Sequence, residues 1–175
     1  MNKANIYIRK SIGKDYELLA NLGKKTFIQT YRDKLKEKDI LSYVKKSFNK
    51  DVLLKEIKNP SFIFLIVLKN GKAAGYAKLL NSKKPSSLMK KNAIEIVRLY
   101  VLKKYQGQKI GRELLKKCIN VAKKNKFEVI WIGVWEKNYN AIDFYKKSGF
   151  KLFGQCKFNF ETEIHNDLLM KKIIN

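Results

Sequence analysis

LYVLKKYQGQKIGR, residues 99–112, is the stretch from which the rest of the chain is read. An apolar strand end, Leu99-Tyr100-Val101, stops and gives way to a polar turn around Gln106, Gly107, Gln108 and Lys109. Ile110, Gly111 and Arg112 then open an amphipathic helix. A strand that runs through a glycine-bearing loop into a helix start aims unpaired main-chain N–H groups at one point, a cradle suited to a phosphorylated ligand.

Periodicity supports both flanks. Residues 93–101, AIEIVRLYV, are apolar and β-branched with only Glu95 and Arg98 charged, the pattern of a central strand covered on both faces. After the loop, Ile110, Leu114, Cys118 and Val121 share a helical stripe with Leu115 and Ala122, opposite Arg112, Glu113, Lys116, Lys117, Asn120, Lys123 and Lys124. The loop contains neither GxxxxGK[ST] nor GxGxxG, which argues against a nucleotide triphosphatase or a dinucleotide site. A second segment follows: an apolar strand over 127–135, then EKNYNAIDFYKKSGF over 136–150, with Asn138 at a helix start and Gly149 at a helix stop.

The pair RLYVLKKYQGQKIGRELL and VWEKNYNAIDFYKKSGF, separated by one strand, resembles the acetyl-coenzyme A site of the GCN5-related N-acetyltransferase (GNAT) superfamily, whose loop follows [Q/R]xxGx[G/A]. Gln106 and Gly111 match, with Gly107 beside them, whereas Lys109 stands where the pattern has glycine and offers a cation near a pyrophosphate. The likeness runs from Ile6 to Lys172. The N-terminal half and the closing FETEIHNDLLMKK are similar to spermine/spermidine acetyltransferases of the bacterial PaiA type.

The resemblance implies that acetyl-coenzyme A is the cosubstrate. It would be held by main-chain groups of Leu99, Tyr100 and Val101, by the amides of Gln106, Gly107, Gln108, Lys109, Ile110, Gly111 and Arg112, and by Asn138 and Ala141. Tyr145 is the candidate general acid, although on spacing alone it reads as a core tyrosine. Glu95 is the candidate base, with a lysine ion pair as the structural alternative. Strand alternation would set Glu95 on one face with Val97, Leu99 and Val101. The implied reaction moves an acetyl group to a primary amine, with a polyamine such as spermidine or spermine as the first expectation. A protein N-terminal amine or an aminoglycoside-like amine is the alternative within enzymes, and a non-catalytic basic nucleic-acid-binding module on the same fold is the alternative outside them. A polyamine needs nearby acids, for which Glu37, Asp39, Glu136, Glu161, Glu163 and Asp167 are candidates, the last three in a stretch read as a hairpin turn. His165 is a candidate relay or a surface residue.

Composition bounds the remainder. The 175 residues, 45% hydrophobic with ten Phe and nine Tyr, suit one N-acetyltransferase domain over 1–175. Net charge is +24, yet the cations are overwhelmingly lysine, spread along every segment rather than clustered with aromatic platforms, which argues against nucleic acid as a partner. Cys118 and Cys156 are expected to be reduced and structural. No metal site is expected from one histidine and no clustered ligands. Met1-Asn2-Lys3 starts no apolar leader and no long apolar run follows, so a cytoplasmic location away from membranes is expected; a homodimer is compatible with exposed strand edges. Strands over 6–9, 62–68 and 73–80, helices over 15–31 and 36–48, a short helix ending near Pro60, a mobile polar loop over 81–92, and last strands over 150–156 and 168–173 complete the reading. The expected architecture is α/β in βααβββαβαββ order, a mostly antiparallel mixed sheet with one parallel pair at the coenzyme site and helices on both faces.

Overall fold

The computed structural model describes residues 5–81 and 84–174. Strand β1 (Ile6–Lys10) leads into helices α1 (Tyr16–Tyr31), α2 (Glu37–Ser47) and α3 (Lys50–Lys58), then β2 (Phe62–Lys69), β3 (Lys72–Leu80) and β4 (Ala93–Val101). Helix α4 (Ile110–Lys124), β5 (Val129–Trp135), α5 (Tyr139–Lys147), β6 (Lys151–Phe160) and β7 (Glu163–Ile173) follow. The strands form one seven-stranded sheet in the order β1-β2-β3-β4-β5-β7-β6, mixed α/β as expected, and α3 is the short helix expected before Pro60, which the βααβββαβαββ order does not count. Only β4 and β5 run parallel.

Local chemistry accounts for the pieces. Asn70 and Gly71, both at positive φ (49° and 75°), make the tight turn that joins β2 to β3. The apolar stripe of α4 (Ile110, Leu114, Leu115, Cys118, Ala122) packs with α5 against Ile94, Ile96, Ile130 and Ile132 on one sheet face. On the other face, α1 to α3 bury Leu19, Phe27, Ile40, Val44, Phe48 and Leu53 against Phe64, Ile66 and Tyr76.

Four expectations need correction. Strand β4 is not uniformly alternating: Lys78 pairs with Arg98 but Leu79 with Ile96, so Val97 is an extra residue, a β-bulge. The bulge turns the strand over, and Ile94, Ile96, Leu99 and Val101 face α4 while Glu95 shares the α1–α3 face with Arg98 and Tyr100. The stretch 161–167 is not a turn; Glu161 and Thr162 alone make the corner, and β7 already begins at Glu163. The loop over 81–92 carries a buried anchor, Leu88, packed with Ala93, Val129, Trp131 and Leu169, while Ser82 and Lys83 lie outside the described residues. Cys118 is fully buried, its thiol pushed up to about 12 by burial, but Cys156 is exposed on edge strand β6 and is no core residue.

Among the described residues, no helix is long and apolar enough to cross a membrane, and no group of three or more His, Cys, Asp or Glu is arranged to hold a metal.

Candidate active site

The parallel pair is short. Ala93, Ile94 and Glu95 pair with Val129, Ile130 and Trp131, after which β4 stays with β3 and β5 stays with β7. Past Glu95 the two strands diverge, and the gap between them opens a cleft through the sheet. The bulge at Val97 lies where the divergence begins, and added twist at a bulge is what swings a strand away from its neighbour.

Two cavities meet in this cleft. The first, about 670 Å³, runs from the ends of α1 and β4 across the 105–112 loop to the start of α5; Leu99, Val101, Gln106, Gly107, Gly111 and Phe144 are among its walls. The second, about 290 Å³, lies on the α1–α2 side beneath Phe27, Tyr31 and Tyr43; its floor is Glu95 from β4, Trp131, Gly133 and Trp135 from β5, and His165 and Asp167 from β7. Leu99, Tyr100, Asn138, Ala141 and Tyr145 line both.

The loop's main chain is free. Among the described residues, no N–H from 107 to 112 donates to a protein acceptor; for 110 to 112 this follows from the first turn of α4, which has no preceding carbonyls to bond. Gln106 departs from the expected cradle: its own N–H donates to the Lys103 carbonyl (3.1 Å), and its side-chain Nε2 donates to the Val101 carbonyl (3.1 Å), tying the loop to the end of β4. Gln108 donates from Nε2 to the Lys104 carbonyl (3.0 Å), and its Oε1 accepts from Lys69.

Lys109 adopts a left-handed conformation, φ 63°, as Gly107 does at 74°. This explains why glycine suits position 109, since a side chain there carries a steric cost of about 1–2 kcal/mol. At Gly111 an added Cβ would meet Phe144 and Val101 only at 3.8 Å, room for glycine or alanine.

Asn138 holds the N-cap position of α5 through its carbonyl, which accepts from Ala141 and Ile142 (3.0 Å each), but its side chain caps nothing and lies beside the Tyr31 hydroxyl. Tyr145 is 3% exposed, and burial holds its phenol well above the ordinary range.

Glu95 is half-buried, and desolvation raises its carboxyl to about 7, opposed by the charge of Lys78. Lys78 itself is buried between Phe62 and Phe64 and bridged to Glu56 Oε1 (2.5 Å), so Glu95 forms no ion pair among the described residues. Arg98 is buried in the same wall, donating to the Tyr43 hydroxyl (3.1 Å) over the Phe48 ring.

The acids nominated from sequence separate into two groups. Glu161 accepts from Ser42 (2.7 Å) and Lys46 (2.6 Å), Glu163 bridges Lys36 (2.8 Å) and His165 (3.0 Å), and buried Asp39 accepts from Thr162 (2.6 Å). These contacts fasten the β6–β7 corner to α2 and are structural. Glu37, in the first turn of α2, and Glu136, 3.4 Å from Asn166, lie outside the cavity walls. Asp167 alone of the six lines the acceptor-side cavity. His165 is no surface residue: it stacks on Trp135 (4.9 Å between centroids, 20°) inside that cavity. The sequence reading missed the walls, Trp131, Trp135, Phe158, Phe160 and Tyr43; the every-second-residue spacing of Glu163, His165 and Asp167 was the available signal that this segment is strand.

A splayed parallel strand pair beside a loop of free amides makes a cleft able to hold a phosphorylated ligand. The chain matches the Acetyltransferase (GNAT) family over residues 25–150 and belongs to it. It is 29% identical over 161 residues to an uncharacterized N-acetyltransferase of Lactobacillus delbrueckii subsp. lactis, covering 92% of this chain and 93% of that one. It is 28% identical over 152 residues to the spermidine N(1)-acetyltransferase of Thermoplasma acidophilum, covering 85% and 89%. The PaiA N-acetyltransferase of Thermoplasma acidophilum, solved in complex with coenzyme A, superposes with a TM-score of 0.80 at 26% identity, over 97% of this chain and 99% of that one. The chain is thus an acetyl-coenzyme A-dependent N-acetyltransferase, and the free amides beside the larger cavity fit the cosubstrate's diphosphate.

Proposed function

We propose that this enzyme acetylates a primary amine of a polyamine such as spermidine or spermine. One observation carries the reading: in a chain of net charge +24, the cavity behind the transfer point is walled by aromatic rings and by two carboxylates, Glu95 and Asp167, that no lysine or arginine bridges among the described residues. Aromatic faces and uncompensated carboxylates are what a cationic alkylamine requires.

In this reading the N–H groups from 107 to 112 and the α4 dipole hold the diphosphate of acetyl-coenzyme A. The exposed edge of β4 at Leu99, Tyr100 and Val101 lies along its acyl arm, with Asn138 and Ala141 on the other side. An amide aimed at the thioester oxygen contributes about 3 kcal/mol in acyl transfers of this kind.

An alkylamine is protonated near neutrality, so a base must take one proton before attack. Glu95, raised to about 7, suits that role, being largely ionised above pH 7 and basic enough to accept. Tyr145 keeps its proton at every working pH because burial disfavours the phenolate. It acts as general acid, passing that proton to the departing sulfur as the C–S bond breaks, and the second proton of the attacking nitrogen restores the phenol.

The test is an acceptor panel with free-thiol detection: spermidine, spermine, a peptide with a free N-terminus and an aminoglycoside. Thiol release with the two polyamines at a kcat/KM well above the other acceptors is expected. Preference for the peptide or the aminoglycoside would replace the acceptor while leaving the acetyltransferase assignment in place.

A further inference from the structure

Asp167 shares with Glu95 the absence of a cation partner in the smaller cavity. The chain has 39 Lys and Arg against 15 Asp and Glu, and most described acids that face another element are bridged to a cation. Asp167 is half-buried, and among the described residues no lysine or arginine lies within bridging distance of it. It pairs with Trp135 on one side and Cys156 on the other in the sheet register, with its side chain on the cavity face.

Space has been left for it. A Cβ built on Gly133 would sit 3.3 Å from Asp167 Oδ2, so the carboxylate leans back across a residue with no side chain, towards Trp131 and the transfer point. The Trp135 indole, its other face covered by His165, borders the same space. The charged or titratable groups facing Asp167 include His165 on its own strand, which is occupied by Glu163, Tyr31 on α1, Glu95 on β4, Cys156 on β6, and Arg98, buried in the far wall on β4. The cavity is therefore polarised, with a fixed guanidinium on one side and an uncompensated carboxylate on the other.

We propose that Asp167 and the face of Trp135 form a subsite for a second, protonated nitrogen of the acceptor, so that the enzyme selects diamines and polyamines over monoamines. Glu95 serves the reacting nitrogen. Its register position, opposite Trp131, is separated from that of Asp167, opposite Trp135, by about 13 Å of strand rise, reduced by the lean of Asp167. Several methylenes between two nitrogens fit that interval, and the aromatic walls cover them. Arg98 orients the acceptor by repelling its distal charge from the β4 wall. This subsite rests on the reading that the acceptor is an amine, and it makes Asp167 a specificity-determining residue rather than a participant in bond making.

The experiment compares butylamine with 1,4-diaminobutane and spermidine as acceptors for the wild-type enzyme, Asp167→Asn and Asp167→Glu, and measures spermidine binding to the coenzyme A-loaded proteins by calorimetry. The wild type is expected to favour the diamine over the monoamine by about 10-fold or more in kcat/KM, mostly through KM, the size a charge-assisted contact supplies. In Asp167→Asn that ratio should fall towards one, with partial recovery in Asp167→Glu, and spermidine binding should weaken in parallel. A ratio unchanged by Asp167→Asn overturns the subsite, as does a wild-type enzyme with no preference. If another acceptor class proves to be the substrate, calorimetry separates the two claims: spermidine binding that depends on Asp167 keeps the subsite, and absence of binding removes it.

Discussion

The two cavities that share Tyr145 and Asn138 are built from different materials. The side we assign to the coenzyme is a main-chain site, made of consecutive N–H groups on one short loop whose geometry needs left-handed residues and a helix start. The side we assign to the acceptor is a side-chain site, assembled from α1, α2, β4, β5, β6 and β7. A main-chain site leaves a compact sequence trace because backbone conformation limits residue choice locally. A side-chain site leaves scattered letters that only the fold collects. The first can be shared by enzymes that differ in the second.

Substitutions at four positions sharpen that contrast, and the acceptor side should give the larger effects. Glu95→Gln should lower kcat/KM by about 100-fold or more at pH 8 and abolish the rise in kcat/KM that the wild type shows as pH increases through about 7. The stability consequence has the opposite sense. A carboxyl raised from 4.5 to about 7 binds more protons folded than unfolded in that window. The wild type therefore loses stability relative to the glutamine variant as pH rises across it, by up to about 3 kcal/mol in denaturant melts. A pH–rate profile unchanged in Glu95→Gln would remove Glu95 as the base.

Tyr145→Phe should reduce turnover by about 100-fold while coenzyme A affinity, read by calorimetry, stays within a factor of about two. Equal losses in both would make the phenol part of the coenzyme wall. On the main-chain side, Gly111→Ala should be nearly silent. Gly111→Val, whose methyls reach Phe144 and Val101, should weaken coenzyme A binding by about 10-fold.

A small effect of opposite sign belongs to Lys109→Gly. Relief of the left-handed strain, offset by glycine's greater freedom when unfolded, should raise Tm by about 1–4 °C. Coenzyme affinity should drop only if the ammonium group reaches the diphosphate.

The sequence was legible where local rules operate. Residues 99–112 announce strand, loop and helix, and Asn70-Gly71 announces the β2–β3 turn. It was misleading where composition imitates another element: Glu163 to Asp167 is polar enough to resemble a turn, yet it is paired strand with alternate residues turned into a cavity. It was silent on what depends on register alone. Nothing local says that Gly133 makes room for Asp167, or that Lys78 is claimed by Glu56 and so leaves Glu95 unbridged.

Val97, the supernumerary residue of β4, divides one continuous strand into two halves of opposite parity. Removing that single amino acid would make Ile96 and Arg98 neighbours in a regular strand opposite Leu79 and Lys78, leaving Arg98 and Tyr100 on the α1–α3 face and Leu99 and Val101 on the α4 face, and would erase only the kink. Shortening by one position would thus test whether the kink itself, rather than the choice of faces, is what parts β4 from β5 and opens the gap between them.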